Sequence, residues 1–164
     1  MRNIGLLCVL ATAGTLAVSA AQAATSGPDD GCLVVRSGRG IVSINAKGFV
    51  FGRFDTGYVD IDDPVQSDGT VKVFGATRIR FITETKTRYI GLNLRFRASG
   101  LFRVRLEAVS IDLSVAGKGQ TTLSANDFLD AGTFSVDAES FCNTGFRPMP
   151  DVLTRYPIAA QSTG

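Results

Sequence analysis

The stretch YIGLNLRFRASGLFRVRLEAVSIDLSVAGKGQTTL, running from Tyr89 to Leu123, decides the fold class. Ile90, Leu92, Leu94 and Phe96 alternate with Gly91, Asn93, Arg95 and Arg97. Phe102, Val104 and Leu106 then alternate with Arg103, Arg105 and Glu107. An apolar period of two, rich in β-branched and aromatic residues, marks strands with one buried and one wet face. Ala98-Ser99-Gly100 between the two runs suits a three-residue hairpin loop with Gly100 left-handed. That loop sets Phe96 opposite Phe102, Leu94 opposite Val104, Leu92 opposite Leu106 and Arg95 opposite Arg103. A two-residue loop would slip the register by one and turn apolar side chains outward. After Ala108 the apolar phase changes to Val109, Ile111, Leu113 and Val115 without Gly or Pro, which predicts a β-bulge.

Upstream, 32–36, 41–47, 49–54, 58–62, 71–74 and 77–83 read as strands, with Asp55-Thr56-Gly57 as a second hairpin loop. Downstream, 120–124 and 133–138 complete the set. About ten short strands with glycine-marked turns indicate a single all-β domain, an antiparallel β-sandwich or flattened β-barrel. Gly40, Gly48 and Gly57 recur at intervals of eight and nine residues, which keeps a β-solenoid as the alternative. The later half loses that spacing, which counts against it. Helix is expected at most as one turn between Ser124 and Asp130.

The chain divides into four segments. Residues 1–23 read as a signal peptide: Arg2, an apolar or small run from Ile4 to Val18, and Ala21-Gln22-Ala23 as a small-x-small cleavage site. Residues 24–31 form a flexible leader, 32–142 the β-domain and 143–164 an extended or disordered tail containing Pro148, Pro150 and Pro157. No second apolar run of about 18 residues follows, so a membrane span in the mature chain is not expected. The expected location is secreted, or periplasmic within the cell envelope. Cys8 lies in the leader peptide, which leaves Cys32 and Cys142 to form a disulfide in an oxidising compartment.

Several chemistries fall away. There is no histidine, which removes histidine-based triads and imidazole metal sites. No Gly-x-Ser-x-Gly elbow is present. The reading is a non-enzyme with no cofactor and no metal. Asp60, Asp62, Asp63 and Asp68 could approach a calcium ion, but their spacing departs from the twelve-residue calcium loop. A solvated strand end and turn accounts for them.

Net charge is only +2, yet from Lys72 to Lys118 there are ten basic and three acidic residues. Alternation puts Arg78 with Arg80, Arg95 with Arg97, and Arg103 with Arg105 on outward faces. Guanidinium groups arrayed on a sheet can hold phosphate or carboxylate bidentately, for example from an anionic envelope polymer. The simpler reading is a solubilising face offset by Glu84, Glu107 and Asp112. Nucleic acid is disfavoured, because few aromatics interleave with the arginines. A second functional reading is a small barrel that carries an apolar ligand, lined by Phe49, Phe51, Phe81, Phe96 and Phe102. Oligomeric state is not encoded in any pattern here.

Ser110 to Gly119, followed by Thr122-Leu123 and Gly132 to Val136, resembles a pattern in small secreted all-β bacterial proteins without an assigned activity. The 40–62 segment, with spaced glycines and Gly52-Arg53, is similar to them as well. The resemblance implies an exported β-domain and brings no site residues with it.

Overall fold

The computed structural model describes residues 30–137, 142 and 145–158. The expected signal peptide, most of the leader and the last residues of the tail lie outside them. The described residues are all-β, without helix, and form one antiparallel sheet of six strands. These are β1 (Gly31–Asp62), β2 (Val71–Phe81), β3 (Lys86–Ser124), β4 (Thr133–Asp137), β5 (Arg147–Pro148) and β6 (Thr154–Pro157).

Two strands replace most of the ten short ones expected. β1 has 32 residues and β3 has 39. A straight strand of that length would reach about 130 Å, so the pair has to bend back on itself to make a core. Its register shows how. Gly48 pairs with Gly100 along one edge of β1 and with Gly117 along the other; Val50 pairs with Ala98 and Val115, and Val59 with Tyr89 and Leu106. β1 therefore runs between two successive passes of the same β3. The two-stranded ribbon winds beside itself, and it ends in free edges rather than closing: β2 at one end, β4 with β5, and β6, at the other.

The bends fall at glycines. Gly48, Gly57, Gly100 and Gly117 all have φ in the left-handed range. At Gly48 the approach of the next pass is also close: an added Cβ would meet Ala116 O and the Gly117 Cα. The expected hairpins at Ala98-Ser99-Gly100 and Asp55-Thr56-Gly57 are thus corrected. Each glycine bends a strand that continues, because a φ open to glycine serves a corner as well as a reversal. Phe96 lies across from Gly52 and Phe102 from Ala46, not from each other. The bulge expected after Ala108 is present, centred on Ser110 at φ 58°, where the ladder steps from Gly40↔Ala108 to Gly38↔Ile111.

One apolar cluster takes residues from every pass. Phe54, Phe96, Phe102, Phe134, Leu94 and Leu106 have 1% exposure or less. Leu92 is a correction: it is 61% exposed, because Asn93 at φ 52° shifts the phase of β3 just before Leu94. Phe49, Phe51 and Phe81 are corrected too. Val50 takes the inward position that alternation gave to its neighbours, and Phe51 and Phe81 are exposed. Cys32 and Cys142 are joined, with Cα atoms 5.8 Å apart. Closing a loop of 110 positions contributes about 4–5 kcal/mol in the chain-entropy picture. The C-terminal segment lies along the sheet: Ala125 N–H donates to Pro150 O, Ile158 N–H donates to Gly119 O, and Met149 and Ile158 are buried.

Candidate functional site

Asp60 and Asp62 sit at the end of β1, on the face opposite the buried Val59 and Ile61. Because β1 lies between two passes of β3, each carboxylate has a basic residue on both sides. Asp60 pairs across with Arg88 and Arg105, and Asp62 with Lys86 and Arg103. Asp60 is 3% exposed and accepts two bonds from Arg88, Nε to Oδ1 at 2.6 Å and Nη2 to Oδ2 at 2.8 Å. Lys86 Nζ stands 3.7 Å from Asp60 Oδ2, and Arg103 Nη1 3.6 Å from Asp62 Oδ2. A buried carboxylate is tolerated when it is paired and fully bonded in this way.

Around this pair the electrostatics are coupled. The Asp60 carboxylate, outweighing the cost of burial, holds the Arg88 guanidinium even more firmly protonated than usual. Arg88 also stacks over the Tyr58 ring, 4.1 Å from its centroid. Tyr58 donates its hydroxyl to Glu107 Oε2 at 2.7 Å, and burial together with that carboxylate pushes the phenol up. Arg88, still 33% exposed, is therefore committed to the fold as a strut against Asp60.

Over Asp60 and Asp62 a groove of about 440 Å³ opens. It is lined by Lys86, Arg103, Arg105 and Arg155, with Ser43, Asn45, Gln120 and Thr122 between them. Among the described residues Arg105 and Arg155 form no ion pair. Asp62 Oδ1 is buried without a hydrogen-bond partner. Across one level of the sheet, Arg80, Arg88, Asp60 and Arg105 stand side by side, followed by Ser43, Thr122 and Arg155. At about 4.8 Å per strand that row is roughly 29 Å long.

The six arginines singled out from the sequence are all exposed but do not form one face. Arg103 and Arg105 line the groove, and Arg80 extends the row on the far side of Arg88, with Arg78 beyond it on the same strand. Arg95 and Arg97 lie elsewhere, carried off by the bend at Gly100. Arg95 pairs across with Arg53 and Phe74, and Arg97 with Phe51 and Lys72. The expected Arg95–Arg103 juxtaposition is thereby overturned. Arg103 faces Asn45 and Asp62 instead and meets no like charge, whereas Arg95 still stands across from Arg53. Arg53 is bound to Asp112 at 2.6 Å, and Asp112 also accepts Ser37 N–H at 2.9 Å.

Sequence reasoning missed Lys86, Arg88 and Arg155 and assigned Asp60 and Asp62 no partner. The outward spacing of Lys86 with Arg88, matching Asp60 with Asp62, was a usable signal. Nothing local marked Arg155. Among the described residues no group of three or more acidic or cysteine side chains is arranged to hold a metal, and Asp68 is turned away to Leu101 N–H. Among the described residues no helix is long and apolar enough to cross a membrane. Compared with family models, curated proteins and solved structures, the chain matches none.

Proposed function

We propose that this is an exported, non-catalytic β-domain that binds an anionic polymer of the cell envelope or extracellular space in the groove over Asp60 and Asp62. The observation that carries the reading is the pair Arg105 and Arg155, left without acidic partners beside Lys86 and Arg103 in one groove. Guanidinium groups in such positions take carboxylate or phosphate bidentately. The hydroxyls and amides of Ser43, Asn45, Gln120 and Thr122, with the unpartnered Asp62 Oδ1, add donors and acceptors suited to polymer hydroxyls. The preferred ligand is thus a polyanion that also carries hydroxyl groups, such as an acidic glycan or a polyol phosphate. The Cys32–Cys142 bridge supports an oxidising compartment. The architecture that best accounts for one core shared by all passes is a flattened winding whose two panels stack as in a sandwich.

A carrier role for apolar ligands has less behind it. Phe96 and Phe102 are 1% exposed and fill the core, and Phe49, Phe51 and Phe81 do not join them.

Titration calorimetry with polygalacturonate, which has carboxylates and hydroxyls, and with polyglutamate, which lacks hydroxyls, tests the proposal. Binding to polygalacturonate is expected to be the tighter and to weaken steeply between low and moderate salt. Absence of heat with either polymer at low salt would contradict it.

A further inference from the structure

The last strand at one end of the sheet, β2, is bare in a way its counterparts are not. It has 11 residues, contains no proline and pairs only with β3. Its outer edge is unpaired among the described residues. Edges of that kind are normally kept short or blocked, because their open N–H and C=O groups template another strand. The other end of the sheet obeys that rule: β5 is Arg147–Pro148 and β6 ends at Pro157.

Around 78–81 the side chains of β2 are sorted by face. Arg80 stands opposite the outward Arg88, so Arg78 and Arg80 face outward, and neither is ion-paired among the described residues. Ile79 and Phe81 point to the core side, yet are 53% and 83% exposed, because no further strand covers them. Ile82 N–H bonds to Lys86 O at 2.9 Å. Antiparallel ladders alternate, so the N–H and C=O of Ile79 and Phe81 are those directed at the free side.

We infer that β2 is a docking strand for an extended segment of a partner protein in which acidic and apolar side chains alternate. Such a segment would add to the sheet through the free groups of Ile79 and Phe81. Its acidic residues would lie beside Arg78 and Arg80, and its apolar residues would cover Ile79 and Phe81. Opposite charges across neighbouring strands are favourable and like charges are not. For the same reason a second copy docking β2 against β2 is disfavoured, since it would bring Arg78 and Arg80 together with their own kind.

The test uses fluorescence anisotropy at moderate salt, where polyanion binding in the groove is screened, with a labelled synthetic peptide of alternating glutamate and valine, and a second of alternating lysine and valine. The wild-type protein should bind the glutamate peptide and not the lysine peptide. The double variant Arg78→Glu/Arg80→Glu should weaken the first by about tenfold and gain the second. Ile79→Pro removes an outward N–H and should abolish both, and amide exchange at Ile79 and Phe81 should slow when the peptide is added to wild type. Arg103→Gln/Arg105→Gln should leave peptide binding unchanged, which separates this edge from the polyanion groove. Glutamate peptide binding that survives Ile79→Pro, or that is lost in Arg103→Gln/Arg105→Gln, would overturn the inference. So would a wild-type dimer in sedimentation that Ile79→Pro dissociates, since a second copy would then occupy the edge.

Discussion

Residues 89–98 and 101–108 of β3 carry nearly the same pattern: apolar positions in alternation, two outward arginines each, glycine at the junction. They end in different surroundings. The first stretch lies between β2 and β1, with Arg95 and Arg97 beside Arg53, Phe51, Phe74 and Lys72. The second has β1 on both sides, so Arg103 and Arg105 face Asp62 and Asp60 and line a groove. Alternation dictates which side chains are buried; the second stretch obeys it throughout and the first only from Leu94 on, after the phase shift at Asn93. It does not say which strand stands next, and the neighbours decide whether an arginine is a solvated charge or part of a site.

The comparison can be pressed hardest in the core. Leu94 and Leu106, one from each stretch, are fully buried, and either one replaced by Ala should cost about 2–5 kcal/mol in denaturant titration. Leu92→Ala should change stability by less than about 0.5 kcal/mol, because Asn93 has turned that residue outward. Equal losses at Leu92 and Leu94 would remove the phase shift that separates the stretches. The corner comes next. Gly48 pairs with Gly100 at the junction of the two stretches and with Gly117 on the next pass of β3, and Gly48→Ala should destabilise by about 1–3 kcal/mol through φ strain and crowding against Ala116. A neutral substitution there would argue against a tight winding.

A smaller effect distinguishes the neighbours of the first stretch. Burial would raise the Asp112 carboxyl, but Ser37 N–H and the Arg53 guanidinium outweigh it and hold the group below the usual carboxylate range. A carboxyl depressed in the fold binds fewer protons than in the unfolded chain. Its contribution is therefore present at neutral pH and lost as pH falls below about 4. Asp112→Asn should flatten part of the acid limb of the stability profile, modestly, since Arg53 is 59% exposed and the pair is screened. An unchanged acid limb would mean the pair contributes nothing.

Much of this fold is legible in the sequence, and the illegible part has a physical cause. Alternation reveals β-structure, the core positions Leu94, Phe96, Phe102, Val104 and Leu106, and the bulge that Ser110 forms. The even glycine spacing at Gly40, Gly48 and Gly57 does mark regular corners. It fails to say whether the chain reverses there, because left-handed glycine serves a hairpin and a bend alike. Taking Gly100 as a reversal placed Arg95 against Arg103 and cut one strand of 39 residues into pieces. For the site, alternation supplied Arg103 and Arg105, while Asp60 and Asp62 read as a solvated strand end and turn. Only the winding, a long-range property, unites them with Lys86 and Arg155.

The most direct test of the central claim sets the two arginine pairs against each other. Arg103→Gln/Arg105→Gln and Arg95→Gln/Arg97→Gln each remove two exposed charges from β3, so any effect of net charge alone is the same in both. Polygalacturonate affinity at low salt, measured by calorimetry on both variants and wild type, should fall by about tenfold or more in the first and stay within about twofold in the second. Equal losses in the two variants would show that the polymer senses overall charge, and would contradict a groove over Asp60 and Asp62.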